Sequence, residues 1–186
     1  MITLYIVLAV VVAIIFWLIA LYNGLVTLNN RTKEGWSDID VQLKRRHDLI
    51  PNLVNSVKGY MTHERELLER ITAARAGALS AQEKGNTAEL GKLENQLGNM
   101  LGKLQIAVEA YPDLKANQNV GQLMDELSDT ENKIKAARRF YNGLVRDFNT
   151  KMETFPNNVF AGMLKFTKYE FFAADESEKG NVEVKL

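Results

Sequence analysis

No charged side chain occurs in the first thirty residues, and between Ile2 and Tyr22 only Thr3 interrupts an apolar run. At 1.5 Å rise per residue, about 20 apolar residues cover the roughly 30 Å hydrocarbon core of a bilayer. The run is therefore long enough to cross as one helix. A cleaved signal peptide has basic residues before a shorter apolar stretch and small residues at its cleavage site. Here no Lys or Arg comes before the run, and no A-x-A pattern follows it. The chain has no Cys, which removes a lipoprotein anchor. Residues 1–24 are expected to be an uncleaved transmembrane anchor, with lipid as its partner and Ile2, Trp17 and Tyr22 among its contacts. Trp17 and Tyr22 lie toward its C-terminal end, where aromatic side chains favour the interface.

Basic residues follow the run and do not precede it. Arg31 and Lys33 come first, then Lys44, Arg45 and Arg46. The positive-inside bias predicts a single-pass protein with its N-terminus outside and its large domain in the cytoplasm. Lys plus Arg and Asp plus Glu both number 23, so there is no basic footprint for nucleic acid. Three prolines, and no β-branched runs beyond the anchor, argue for helices.

After the anchor, apolar positions repeat every seven residues. Trp36, Leu43, Ile50, Val57, Glu64, Ile71 and Ala78 share one phase, and Ile39, Arg46, Leu53, Tyr60, Leu67 and Ala74 the other. This is an a/d pattern over about six heptads, with Arg46 and Glu64 as charged exceptions. Pro51 does not reset the phase, so the spacing predicts one helix over 23–79, kinked at the proline, in preference to a hairpin there. Residues 80–88 read as a turn. A second helix then carries Leu90, Leu93, Leu97, Met100, Leu104, Ala107 and Tyr111. A third runs from Val120 through Leu127, Ile134, Tyr141 and Phe148 to Met152, and stops at Phe155-Pro156.

The fold class expected is all-α: an N-terminal transmembrane helix continuing into an elongated antiparallel bundle of three long helices plus a short C-terminal helix, with coiled-coil-like packing. The bundle is assigned to residues 25–172 and a polar tail to 173–186. With three helices the chain leaves the third one far from the bilayer. The aromatic-rich segment 155–172 is then expected to close the distal end of the bundle or to meet a neighbouring copy, and not to enter lipid.

Familiar catalytic patterns are missing. Neither His47 nor His63 has a second histidine or a glutamate at metal-site spacing, and there is no phosphate loop or nucleophile elbow. The densest polar constellation lies on the third helix, at Thr130, Glu131, Asn132, Arg138, Arg139, Tyr141, Asn142 and Asn149. Asp40, Lys44 and Arg46 are expected to face it from the first. The candidate layer is Asp40, Arg46, Glu131, Arg138, Tyr141 and Asn142. Layers of this kind fix register in helical bundles, and less often bind a ligand. Catalytic, cofactor and metal residues are assigned to none of these positions.

The blocks YNGLVTLNNRTKEGWSDIDVQLKRRHDLIPNLVNSVKGYMTHE (22–64), EAYPDLKANQN (109–119), LSDTENKIKAARRFYNGLVRDFN (127–149) and TFPNNVFAGMLKF (154–166) together resemble the bacterial LemA family. The resemblance covers nearly all of the chain after the anchor. It implies a membrane anchor followed by a helical bundle in the bacterial inner membrane, and a possible membrane-protein partner such as a membrane protease. It brings no catalytic residues. Gly35 and Asn29-Asn30, small departures from the family pattern, are expected on the surface. The function expected is a non-enzymatic scaffold or adaptor that assembles with copies of itself. The alternative is a small-ligand sensor or enzyme using the layer around Glu131 and Arg138.

Overall fold

The computed structural model describes residues 1–172; the expected polar tail, 173–186, lies outside them. The described residues are helical wherever they are regular, and a long apolar N-terminal helix leads into an antiparallel bundle, as the sequence predicts. The first helix, α1, runs unbroken from Ile2 to Val57 and includes Pro51. Proline has no N–H to offer the carbonyl four residues back, here that of His47. The Arg75 side chain supplies the missing donor, its Nε bonding to His47 O at 2.8 Å. A later part of the chain thus repairs the gap that Pro51 leaves, and the helix continues.

The helix expected over 23–79 is nevertheless divided. After α1, residues 58–64 form a turn, and α2 begins afresh at Arg65 and runs to Glu83. The turn is one heptad long, so it reverses the chain without disturbing the seven-residue count. Counting therefore could not detect it. The side chains register the change: Tyr60, expected inside, is 50% exposed, whereas Met61 is buried.

Gly85, at φ 68°, closes the next turn, and Asn86 Oδ1 accepts from Glu89 N at 3.1 Å to cap α3, Thr87–Val108. A single turn, α4 (Pro112–Lys115), precedes α5, Gln118–Glu153, which Asn117 caps through Asn119 N and Val120 N. The last helix among the described residues, α6, spans Asn157–Met163.

Four helices thus run up, down, up and down. At the distal end Ile50, Leu53 and Val57 meet Leu68, Ile71, Leu101, Leu104, Val120 and Leu127. Nearer the membrane segment Ile39 and Leu43 meet Ala78, Leu90, Ile134, Tyr141 and Val145. The extra reversal at 58–64 inverts the expected destination of the C-terminal segment. Because α5 descends, α6 arrives beside the apolar run, with the Phe160 and Trp17 rings 6.3 Å apart. The segment does not close the distal end.

The four helices differ in length. At 1.5 Å per residue α2 and α3 cover about 28 and 33 Å, but α5 is about 54 Å long. Neither α2 nor α3 therefore reaches along the lower part of the α1–α5 pair. Residues 166–172 climb back along it as a strap. Gly35, expected on the surface, is instead buried where α1 and α5 approach closely. A methyl group added there would come within 2.8 Å of Leu144 Cδ1. Asn29 is likewise engaged, accepting from the Tyr169 hydroxyl at 3.0 Å.

Candidate functional site

Arg46 is a charged residue on the core face of α1, and only 2% of its surface is exposed. An isolated buried guanidinium is untenable, so the chain surrounds it with acceptors. Arg46 Nη1 donates to Glu131 Oε1 on α5 at 2.7 Å. Its Nη2 donates to both the backbone carbonyl (3.3 Å) and the carboxylate of Glu94 on α3. The other Glu94 oxygen lies 2.9 Å from His47 Nε2. Three helices are thereby joined through two carboxylates and one guanidinium.

Burial by itself pushes the Glu94 carboxyl upward. The hydrogen bond from His47 and the nearby Arg46 charge together outweigh burial and hold it below the ordinary carboxylate range. Burial favours the neutral form of Arg46, but the two glutamates more than offset this and raise it further, so it stays charged.

Beside this network is a cleft of about 290 Å³, lined by Glu94, Asn95, Gly98, Glu131, Lys135 and Arg138 among others. Asn95 Oδ1 and Arg46 Nε are buried there without hydrogen-bond partners among the described residues.

The six residues expected to form one layer divide into separate groups. Arg46 pairs with Glu131. Asp40 turns toward α2, where its Oδ1 accepts from Gln82 Nε2 at 3.1 Å, and burial raises its pKa despite the bonds from Gln82 and Trp36. Arg138 lines the cleft and also lies over the Phe172 ring, 5.2 Å from its centroid.

Tyr141 and Asn142 hold the strap. The Tyr141 hydroxyl donates to Glu170 O at 3.1 Å, and its ring stands edge-on to Trp36 with centroids 5.3 Å apart. Burial, then Tyr169 and the Glu170 carboxylate, push its pKa up to about 12. Asn142 donates to Phe172 O at 3.0 Å and accepts from Phe172 N at 2.9 Å. Asn149 repeats the arrangement on Tyr169, at 2.9 and 3.1 Å. Seven helical residues span about 10.5 Å, and three extended residues about 10 Å. Two asparagines one heptad apart thus match two strap residues three apart.

Sequence reasoning missed Glu94 and His47. The signal for Glu94 was present: it occupies a core position in the series Leu90, Glu94, Leu97, Leu101, Leu104, as Arg46 does between Ile39 and Leu53. Two opposite charges, each inside an apolar seam, identify a buried pair once the helices are aligned. His63, the other histidine, is exposed.

A family model described as the LemA family matches residues 35–186. Protein LemA of Metamycoplasma hominis is 33% identical over 161 residues, covering 87% of this chain and 73% of that one. Magnetosome protein MamQ 2 of Paramagnetospirillum magneticum is 26% identical over 185 residues, covering 87% of this chain and 68% of the relative. Magnetosome protein MamQ of Magnetospirillum gryphiswaldense is 24% identical, with the same coverages.

Proposed function

The chain belongs to the LemA family, and we propose that it is a membrane-anchored scaffold or adaptor with no reaction of its own. The observation that carries this reading is α1. One helix contains both the apolar run and a wall of the bundle, and the only proline in it is compensated by Arg75. The anchor and the bundle therefore share a stiff element, without a linker between them. Almost none of the apolar window is covered by the rest of the protein, and this fits a single span in lipid.

The bundle faces the cytoplasm in this proposal. Arg31 and Lys33 follow the span in sequence, and the descent of α5 adds Lys151, Lys165 and Lys168 at the same end. The names of the relatives carry no reaction, and the buried network locks helices together without presenting a nucleophile to solvent. Lateral assembly with copies of itself is part of the proposal, supported by Val41 and Phe140, which are exposed on α1 and α5. A membrane protein, such as a membrane protease, is the class of partner that the family resemblance suggests.

Crosslinking and affinity capture in intact membranes test the scaffold. The expected result is a ladder of self-crosslinked species or a recoverable membrane protein. A strictly monomeric protein without any partner contradicts it. The cleft beside Arg46 supports a second reading, a small polar ligand bound in the cleft that Glu131 and Arg138 line, because Asn95 Oδ1 and Arg46 Nε, buried there without hydrogen-bond partners among the described residues, offer it bonds.

A further inference from the structure

The base of the molecule presents apolar side chains that the bundle leaves uncovered. Phe155 is 82% exposed, Met163 77%, Val159 54% and Leu164 40%. Val159 and Met163 lie about one turn apart on one face of α6, and Phe155 precedes them at the same spacing. The protein-facing side of α6 carries buried Asn157 and Ala161. A helix on the surface of a water-soluble bundle turns its apolar side inward. Here the arrangement is reversed.

Depth explains the reversal. Phe160 of α6 meets Trp17, which is five residues before the end of the apolar run. Five helical residues amount to about 7–8 Å, and interfacial helices bury their apolar faces about 5–10 Å into the headgroup and acyl boundary. Residues 2–22 amount to about 31 Å, so the whole run is needed to cross a roughly 30 Å core. The bilayer boundary therefore cannot fall short of Trp17, and α6 is carried below it.

The backbone there meets the demand that lipid imposes. Leu164 N donates to Phe160 O at 2.9 Å, Lys165 N to Gly162 O at 3.2 Å and Phe166 N to Ala161 O at 3.1 Å. Lys165, at φ 58°, then turns the chain back toward the strap, and its exposed ammonium sits where headgroups would be.

We propose that Phe155 and α6 form a second membrane-inserted element, wedged into the leaflet from which α1 emerges, with lipid covering Phe155, Val159 and Met163. This rests on the reading of residues 2–22 as a span. Its consequence is orientational: one helix can tilt and rotate in a bilayer, whereas a helix with a wedge at its side is held in both respects.

The chain has no native Cys, so single-cysteine variants of the full chain report position directly. Met163→Cys, Val10→Cys and Tyr60→Cys, each carrying an environment-sensitive fluorophore, are reconstituted in phosphatidylcholine–phosphatidylglycerol vesicles. All three side chains are exposed, so none of the labels disturbs packing. Position 163 is expected to lose most of its emission to lipids spin-labelled near the headgroup, position 10 to deeply labelled lipids, and position 60 to neither. Quenching at position 10 with position 163 open to aqueous iodide overturns the wedge and leaves the span intact. Shielding of position 163 from both quenchers also overturns it, because a second copy would then cover that face. Failure of lipid quenching at position 10 overturns the span reading, and the wedge with it.

Discussion

The distal half of the bundle closes the α1–α5 pair with two further helices, whereas the membrane-proximal half closes the same pair with a few residues of non-helical strap. The distal half uses aliphatic side chains in heptad register: Ile50, Leu53, Ile71, Leu97, Leu104 and Val120. At its lower edge is the buried network of Arg46, Glu94 and Glu131. The proximal half relies on rings, with Phe148 against Phe166 at 6.1 Å and against Tyr169 at 5.3 Å. Backbone hydrogen bonds from Asn142 and Asn149 add to them. Helix-on-helix closure distributes stability over many side chains. Strap closure concentrates it in two asparagines and a few rings, so the strap is the part that opens most readily.

The largest effect expected is in the network. Glu94→Ala leaves Arg46 buried with only one of its two carboxylate partners and should cost about 3–5 kcal/mol in denaturant unfolding. A loss near zero would mean that water reaches Arg46 and that the distal half rests on aliphatic packing alone.

Asn142→Ala removes both bonds to Phe172 and should cost about 1–3 kcal/mol. Hydrogen exchange should accelerate at the amides of residues 169–172 and stay unchanged in α2 and α3. Acceleration throughout the bundle would mean that the two halves open together and that the contrast between them fails.

Acid should act on the distal half through Glu94. Its folded pKa is depressed below an unfolded value of about 4.3. The stability it contributes is complete above that value and is lost as pH falls through the folded pKa. The difference in stability between the native protein and Glu94→Gln should therefore shrink as pH falls below about 4. A difference that does not change with pH would mean that Glu94 is not ionised in the fold.

The smallest effect is expected on the surface. Lys44→Ala breaks an exposed pair with Asp48, 2.6 Å long, and should change stability by no more than about 0.5 kcal/mol.

The same contrast separates what the sequence discloses from what it conceals. Heptad spacing exposed the aliphatic seams of the distal half and the continuity of α1 through Pro51. It concealed the turn at 58–64, since a reversal one heptad long keeps the phase, and that turn decides at which end Phe155 emerges. Arg46 was legible as a charge in an apolar register and Glu131 as part of a polar constellation, but the contact between them was not, because it depends on how α1 and α5 align. Tyr141 and Asn142 were recognised as important but assigned the wrong neighbours. Their partners are backbone atoms of Glu170 and Phe172, and a bond to a backbone leaves no mark in the sequence of the residue that receives it. Gly35 was read as a surface residue for a related reason: close approach of two helices is a property of the pair.

The central claim is that a stiff α1 holds the bundle at a fixed height above the bilayer. Energy transfer from a donor at Tyr60→Cys, on the exposed distal turn, to acceptor-labelled lipids in reconstituted vesicles measures that height. Residues 23–57 in one helix rise about 52 Å if upright and about 49 Å at a tilt of 20°. A single narrow distribution near 50 Å is the predicted result. A broad distribution, or a donor lying within about 20 Å of the lipid surface, less than half the rise of that helix, would contradict the account.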